Sequence, residues 1–123
     1  MKNNTGKKGE DIVCRWLTDH GHTILERNWR YGHLEIDIIS YDRSGIHFVE
    51  VKSRKTPFEA EPQDCVTTPK QRKVTKAAAA YLALGLPDTI SETECFFDVA
   101  AVVFDNGETD VRYFPEAYLP IYK

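Results

Sequence analysis

Two segments of the chain, residues 34–41 and 46–53, are dominated by apolar side chains that alternate or run together, interrupted by isolated charged residues. Between them stands a short polar stretch, Asp42-Arg43-Ser44-Gly45. Aspartate and glycine between two such segments are typical of the loop of a β-hairpin. The pattern therefore predicts two antiparallel strands joined by a four-residue loop.

The loop also fixes the predicted pairing of the two strands. If all four polar residues belong to it, Tyr41 faces Ile46 and Asp37 lies opposite Glu50. The apolar positions restrict this register, because a shift of one residue would move every side chain to the other face. On this register Glu35 lies opposite Lys52. The opposite face is predicted to collect Leu34, Ile36, Ile38, Val49 and Val51.

The rest of the pattern predicts two helices and three further strands. The chain is predicted to start with a helix after Thr5 and Gly6 that runs to residue 19, followed by a strand at 22–30 and the hairpin. A polar loop at 55–66 leads to a second helix, with Thr68 as N-cap and Pro69 at its first position, which runs to 84–85. A buried strand at 96–104, a turn at 105–107, a strand at 109–114 and a short turn or helical piece at the end follow. The order α-β-β-β-α-β-β predicts an α/β fold. A helical crossover can place the fourth strand parallel to the third, which gives a mixed sheet of about five strands flanked by helices.

Length and composition narrow the class of protein. The 123 residues fit one domain, and 41% hydrophobic with 28% charged residues is typical of globular chains. The longest apolar stretch, at 77–86, is far shorter than the ~20 residues of a membrane span. The first residues lack the apolar segment of a secretory signal, and three widely spaced cysteines form neither a disulfide framework nor a Cys-x-x-Cys zinc motif. These features favour a reducing cytoplasm and argue against zinc.

Charge is distributed unevenly along the chain. The net charge is −3, but residues 1–76 carry 14 Lys/Arg against 11 Asp/Glu, whereas residues 77–123 carry 2 against 8. The basic residues therefore accompany the hairpin, although an ordinary solvated surface gives the same numbers.

The predicted opposition of Asp37 and Glu50 carries the candidate chemistry. Like charges directly across a strand pair are destabilising, and a divalent cation between them would remove the repulsion. Oxygen ligands suit Mg²⁺, which retains waters for chemistry, and a nearby Lys52 can orient an attacking water. The alternative is an exposed strand face on which Glu35 and Lys52 form an ordinary ion pair.

Several short motifs, in a specific order and spacing, resemble the YraN-like family of small bacterial endonuclease-like proteins. The motifs are Gly6-Lys7-Lys8-Gly9-Glu10-Asp11, the run 21–30 ending Arg27-Asn28-Trp29-Arg30, Glu35-Ile36-Asp37-Ile38-Ile39, Phe48-Val49-Glu50-Val51-Lys52-Ser53-Arg54, Thr68-Pro69-Lys70-Gln71-Arg72 and Phe97-Asp98-Val99. The resemblance extends over about residues 6–104.

This resemblance implies a restriction endonuclease-like core of the PD-(D/E)xK type, related to archaeal Holliday-junction resolvases. It implies that Asp37, Glu50 and Lys52 are catalytic. It also implies that Mg²⁺ or Mn²⁺ is held by Asp37, Glu50, the Val51 carbonyl and Glu10. Related resolvases are dimers, which leaves a homodimer and a branched DNA substrate open.

Further residues are candidates for supporting roles. Glu35 and Asp98 are assigned to support of the site. For Asp98, a structural hydrogen bond or a contact that supports the metal ligands is favoured over direct metal binding. Seven basic residues are candidates for phosphate contacts: Arg30, Arg54, Lys55, Lys70, Arg72, Lys73 and Lys76. The four histidines, His20, His22, His33 and His47, do not cluster along the chain and are assigned no catalytic role.

The sequence thus favours a metal-dependent nuclease acting on DNA. One alternative is a catalytically inactive nucleic-acid-binding or adaptor module that retains the nuclease fold. Another is a protein-interaction subunit that uses its acidic carboxyl-terminal part.

Overall fold

The computed structural model describes residues 4–55, 66–84, 94–105 and 107–119. Two helices and five strands follow the predicted order: α1 (Asn4–Asp19), β1 (Thr23–Tyr31), β2 (Leu34–Tyr41), β3 (Ile46–Lys55), α2 (Thr68–Ala83), β4 (Cys95–Asp105) and β5 (Glu108–Phe114). Within the described ranges, neither helix has the length and apolar composition needed to cross a bilayer. Of the loop predicted at 55–66, residues 56–65 lie outside the described residues, and Lys55 belongs to β3, with a side chain that is not described. The helix stop beyond Leu84 and the last four residues also lie outside the described residues.

The strands form one five-stranded sheet in the order β1-β2-β3-β4-β5. β3 and β4 are parallel, with Ile46 beside Cys95 and Lys55 beside Phe104, while the other three pairs of strands are antiparallel. The parallel pair lies on either side of the crossover through α2. The mixed sheet predicted from the element order is therefore confirmed.

The loop between β2 and β3 has the predicted four residues. Asp42 and Gly45 exchange backbone hydrogen bonds of 3.0 and 3.2 Å, and Tyr41 pairs with Ile46. The Asp42 carboxylate also accepts from the backbone N–H groups of Ser44 and Gly45. These local bonds explain why aspartate and glycine stand at the two ends of the loop.

Each helix covers one face of the sheet. The α2 face contains a cluster built from both strands of the hairpin, β4 and the helix: Ile36, Ile39, Ile46, Phe48, Val74, Ala77, Ala78 and Phe97. The α1 face contains Val13, Leu17, Ile38, Val49, Ala100 and Val102. The two buried alanines of α2 let this helix approach the sheet closely, as the alanine-rich segment predicts.

Three details of the prediction were wrong. Helix α1 begins at Asn4, so Thr5 and Gly6 lie inside it and do not precede it. The N-cap of α2 is Thr67, not Thr68: the Thr67 hydroxyl accepts from the Lys70 backbone N–H at 3.3 Å. The apolar residues of β2 do not share one face, because Ile36 packs with the α2 cluster and Ile38 with the α1 cluster. Leu34 also packs against the α2 cluster. The pleat of β2 is therefore interrupted between Ile36 and Ile38, at the position of Asp37.

Candidate active site

Asp37 lies where the pairing of β2 with β3 ends and where its pairing with β1 skips one residue. The β2–β3 ladder follows the predicted register from Tyr41 and Ile46 to Ile38 and Val49, which is its last pair. One residue further, an Asp37 carboxylate oxygen (Oδ2) accepts a hydrogen bond of 2.9 Å from the backbone N–H of Val51. The carboxylate therefore occupies the gap in which a regular ladder would place backbone groups.

The neighbouring strand β1 is irregular at the same level. Arg27 pairs with Ile38 and Trp29 with Ile36, so Asn28 is the residue beside Asp37. Asn28 has a φ of 51°, in the left-handed region that asparagine tolerates better than most residues. Its side-chain amide donates to Glu10 Oε1 at 3.0 Å. The irregularity thus links a carboxylate of α1 to the interruption in β2.

A cavity of about 460 Å³ opens at this interruption. Four elements contribute to it: α1, β2, β3 and α2. Its lining consists of Gly6, Glu10, Glu35, Asp37, Glu50, Val51, Lys52, Ser53, Arg54 and Lys70. The structure therefore brings together all five residues that the resemblance implies as catalytic or metal-binding, although they come from three separate elements.

Three carboxylates of this cavity are almost completely buried. Glu10 is 2% exposed, Asp37 8% and Glu50 7%. Burial and then the nearby charge of Asp37 raise the pKa of Glu50, while Lys70 and Lys52 act in the opposite direction. The two lysines therefore do not offset the combined effect of burial and of the Asp37 charge on the pKa of Glu50.

The two lysines approach Glu50 from different elements. Lys52 Nζ, on the same strand, lies 3.5 Å from Glu50 Oε1, and Lys70 Nζ, near the start of α2, lies 3.7 Å from the same atom. The alternative ion pair between Glu35 and Lys52 is not the pairing found: Glu35 Oε2 lies 3.3 Å from Arg30. Lys52 is therefore held beside a buried carboxylate of the cavity.

Gly9 explains how α1 reaches the site. A Cβ atom at this position would lie 2.1 Å from Ser53 Oγ, so the first half of the helix packs directly on β3. Glu10 follows immediately and points into the cavity.

The remaining predicted residues lie around or away from the cavity. Arg30 lines a neighbouring cavity of about 340 Å³ that shares Glu10 with the first. Arg72, Lys73 and Lys76 are exposed along α2 and line neither cavity. Asp98 is buried elsewhere, where it binds His47, Tyr113 and the backbone N–H of Glu116. Asp98 therefore makes the structural hydrogen bonds expected of it, at a distance from the carboxylate cavity.

The donor set of the cavity fits a hard divalent cation. Three buried carboxylates supply oxygen ligands, and burial together with the nearby charge of Asp37 raises the pKa of Glu50. Mg²⁺ and Mn²⁺ prefer oxygen ligands of this kind. The residues present are thus suited to the metal that the sequence resemblance implies.

One group of residues escaped the sequence analysis. His22 and His47 are 25 positions apart in the chain, but the rings lie with centroids 4.6 Å apart, beside Asp42. The prediction that the histidines do not cluster was therefore wrong for this pair. The pairing of Ser40 with His47 in the hairpin brings them together, and single-sequence spacing gave no signal of it.

Comparison with known proteins identifies the family. A sequence model described as "Uncharacterised protein family UPF0102" matches residues 9–102. The chain belongs to this family. A UPF0102 protein from Bacteroides thetaiotaomicron is 36% identical over 118 residues, covering 96% of this chain and 94% of its own length. One from Chlorobium chlorochromatii is 43% identical over 97 residues, covering 79% and 72%. The YraN-like resemblance drawn from the motifs is confirmed.

Among solved structures, SfsA of Pyrococcus furiosus in complex with Ca²⁺ has a TM-score of 0.40 and 16% identity to this UPF0102 chain. The match covers 90% of this chain and 62% of that one.

Proposed function

We propose that this UPF0102 protein is a metal-dependent nuclease that hydrolyses DNA phosphodiester bonds in the cytoplasm. The observation that supports this proposal is the cavity in which three buried carboxylates meet two lysines. A purely structural role does not account for it, because burying like charges together costs stability. Binding of a cation would offset that cost.

Asp37, Glu50, Glu10 and the Val51 carbonyl are the groups that would hold Mg²⁺ or Mn²⁺. When bound, such an ion supplies positive charge to a phosphate oxygen and lowers the pKa of a water molecule. The carboxylates come from α1, β2 and β3, and each is fixed by packing or by a hydrogen bond, as in Asp37 with Val51 and Glu10 with Asn28. The ligand set is therefore organised before any ion arrives.

Lys52 is assigned two roles, orienting the attacking water and compensating the negative charge that develops on the phosphate. Its ammonium group is held 3.5 Å from Glu50, inside the cavity, with about a fifth of the side chain exposed. From there it can orient a water toward the phosphorus atom and compensate charge that develops on the phosphate oxygens. Lys70, at 3.7 Å from Glu50, adds positive charge from the first turn of α2.

Basic residues around the cavity are assigned to the DNA backbone. Arg54 and Lys70 line the cavity, Arg30 lines its neighbour, and Arg72, Lys73 and Lys76 extend along the exposed side of α2. Contacts from such residues to phosphates position a duplex without reading its sequence. Glu35 holds Arg30 at 3.3 Å and so supports this surface.

The proposal is tested by incubating the purified protein with linear, nicked and four-way DNA in the presence of Mg²⁺ or Mn²⁺. We expect cleavage of at least one substrate, and we expect Asp37→Ala and Lys52→Ala each to reduce it by about 100-fold or more, the range found when a transition-state charge partner is removed. Matched controls are Asp110→Ala, on the exposed side of β5, and Lys8→Ala, whose ammonium lies 5.8 Å from the centre of the Phe104 ring. Absence of cleavage of all three substrates with both metals would reject the nuclease.

The exposed row of Arg72, Lys73 and Lys76 favours a second candidate, a DNA-binding module without catalysis, because these residues lie outside the cavity. Such a module would bind DNA with an affinity that falls steeply with salt and without dependence on Asp37. Calorimetry with Mn²⁺ separates the two functions, because heat that disappears in Asp37→Ala is expected only for the nuclease.

A further inference from the structure

A second group of potential ligands lies at the other end of β3. His22 precedes β1, Asp42 begins the hairpin loop and His47 is the second residue of β3. His22 Nε2 lies 3.3 Å from Asp42 Oδ2, and His47 Nε2 lies 2.8 Å from Asp42 Oδ1. One ligand atom from each residue falls within 4.8 Å of the others. We call these three residues the His22–Asp42–His47 cluster.

Outer hydrogen bonds fix the orientation of both imidazole rings. His22 Nδ1 lies 2.9 Å from Ser40 Oγ, and His47 Nδ1 lies 2.6 Å from Asp98 Oδ2. Asp98 is itself held by Tyr113 and by the backbone N–H of Glu116. As a result, the Nε2 atoms of both rings face the same carboxylate. Metal-binding histidines show this arrangement, in which the nitrogen that does not bind metal is held by a carboxylate or hydroxyl group.

The spacing of the ligand atoms fits a small transition-metal ion. Two donors at about 2.0–2.2 Å from a tetrahedral Zn²⁺ are about 3.3 Å apart, which equals the distance from His22 Nε2 to Asp42 Oδ2. The distance between His47 Nε2 and Asp42 Oδ1 is 0.5 Å shorter, so binding requires a small movement of one ring. Two imidazoles and one carboxylate leave at least one position for water.

We propose that the His22–Asp42–His47 cluster binds a divalent transition-metal ion of the Zn²⁺ type. The side chains are 7%, 22% and 8% exposed respectively, so that the cluster is shielded but still reachable from solvent. Imidazole ligands favour Zn²⁺ over Mg²⁺, which prefers oxygen donors. The spacing of cysteines argued against zinc, but the fold assembles a site that contains no cysteine.

The cluster is separate from the carboxylate cavity. His47 precedes Glu50 by three residues, which is about 10 Å along a strand. The two side chains also lie on opposite faces of the sheet. Glu50 is two residues from Phe48 and shares its α2 face, whereas His47 is next to Phe48 and points to the α1 face. The protein would therefore hold two metals of different chemistry, and the bound Zn²⁺ would tie the start of β1 to the hairpin loop.

The proposal is tested by calorimetric titration of metal-free protein with Zn²⁺, together with the visible absorption of Co²⁺ in its place. To remove the other site, the titration uses the double variant Asp37→Asn/Glu50→Gln as the parent protein. We expect one ion per chain, binding at least tenfold weaker in His22→Ala and in His47→Ala, and Co²⁺ bands that decrease in the same variants. His33→Ala, which removes an exposed histidine, is the matched control.

Circular dichroism without metal shows which variants remain folded. His47→Ala removes one of the three hydrogen-bond partners of Asp98. His22→Ala leaves those three partners in place and loses the contacts of His22 with Ser40 and Asp42, so it keeps the test valid if the first variant unfolds. Two results would overturn the proposal. One is the absence of saturable Zn²⁺ binding by the parent, in which case the cluster is only a hydrogen-bonded network. The other is binding that His22→Ala leaves unchanged or that His33→Ala weakens equally.

Discussion

The buried carboxylate of Asp98 offers a quantitative test of how this fold is held together. Asp98 is 0% exposed and accepts hydrogen bonds from His47 Nδ1 at 2.6 Å, from the Tyr113 hydroxyl and from the backbone N–H of Glu116 at 2.9 Å. The substitution Asp98→Ala leaves three donors without this acceptor. Breaking a buried, hydrogen-bonded ion pair by removing one partner costs about 3–5 kcal/mol.

The expected loss can be converted into a melting temperature. An unfolding entropy of about 2.1 cal/mol/K per residue, applied to this chain, converts that loss into a decrease of about 12–19 °C. Tyr113→Phe removes a single donor and should cost about 1–1.5 kcal/mol, or about 4–6 °C. Asp110→Ala, at a side chain that is 72% exposed, should change the free energy of unfolding by less than about 0.5 kcal/mol.

The effect of Asp98→Ala should also depend on pH. Burial lowers the pKa of His47, but the hydrogen bonds that its ring donates to Asp98 and Asp42, and the charges of these carboxylates, outweigh burial and raise the pKa above the usual value of 6.5. A histidine with a raised pKa stabilises the fold fully below 6.5 and loses this contribution as pH rises through its folded-state pKa. The stability difference between the wild type and Asp98→Ala should therefore shrink from pH 6 to pH 9, measured by urea denaturation. A difference below about 1 kcal/mol, or one that does not change with pH, would refute the reasoning.

Two further predictions concern the carboxylate cavity and the hairpin loop. Because burial and Asp37 raise the pKa of Glu50, its ionised form destabilises the metal-free fold at neutral pH, so Glu50→Gln should melt higher than the wild type at pH 7.5 in EDTA. The difference should vanish at pH 4, where both side chains are neutral, and a lower melting temperature at pH 7.5 would contradict this explanation. Gly45→Ala should cost about 2–4 kcal/mol in urea denaturation, since its φ is +148° and a Cβ atom would lie 2.2 Å from the Glu94 carbonyl oxygen. Gly21→Ala, where φ is +91° and a Cβ atom meets nothing within 4 Å, should cost less; an equal cost would exclude the clash as the cause.

The pattern of apolar residues predicted all seven elements, and the hairpin register as far as Ile38 and Val49, whereas the predicted pairs of Asp37 with Glu50 and of Glu35 with Lys52 lie beyond the end of this ladder. The prediction succeeded because two independent features select the same register, from Tyr41 and Ile46 to Ile38 and Val49. One is the hydrogen-bonded loop between Asp42 and Gly45, and the other is the burial of the apolar strand residues. Residues two apart on a strand were assumed to share a face, and this assumption failed at Asp37. The interruption there depends on Asn28, in another strand, and on its bond to Glu10, which no local pattern encodes.

The grouping of site residues shows the same limit. Asp37 and Glu50 could be paired from the hairpin alone, whereas the placement of Glu10 and Lys70 required the packing of both helices on the sheet. The His22–Asp42–His47 cluster was missed because its members share no spacing typical of a metal motif. Its assembly depends on two adjacent strand pairings, Ile24 with Ser40 and Ser40 with His47.

The order of the strands has a consequence for the kinetics of folding. β1, β2 and β3 form a meander whose contacts are close in sequence. β4 and β5 form an antiparallel hairpin whose contacts are also close in sequence. Within the sheet, the two parts join through the parallel pairing of β3 with β4, in which Ile46 meets Cys95. Closing this long segment costs chain entropy before any contact is gained, so we expect the union of the two preformed parts to be the slow step on the route to the native state.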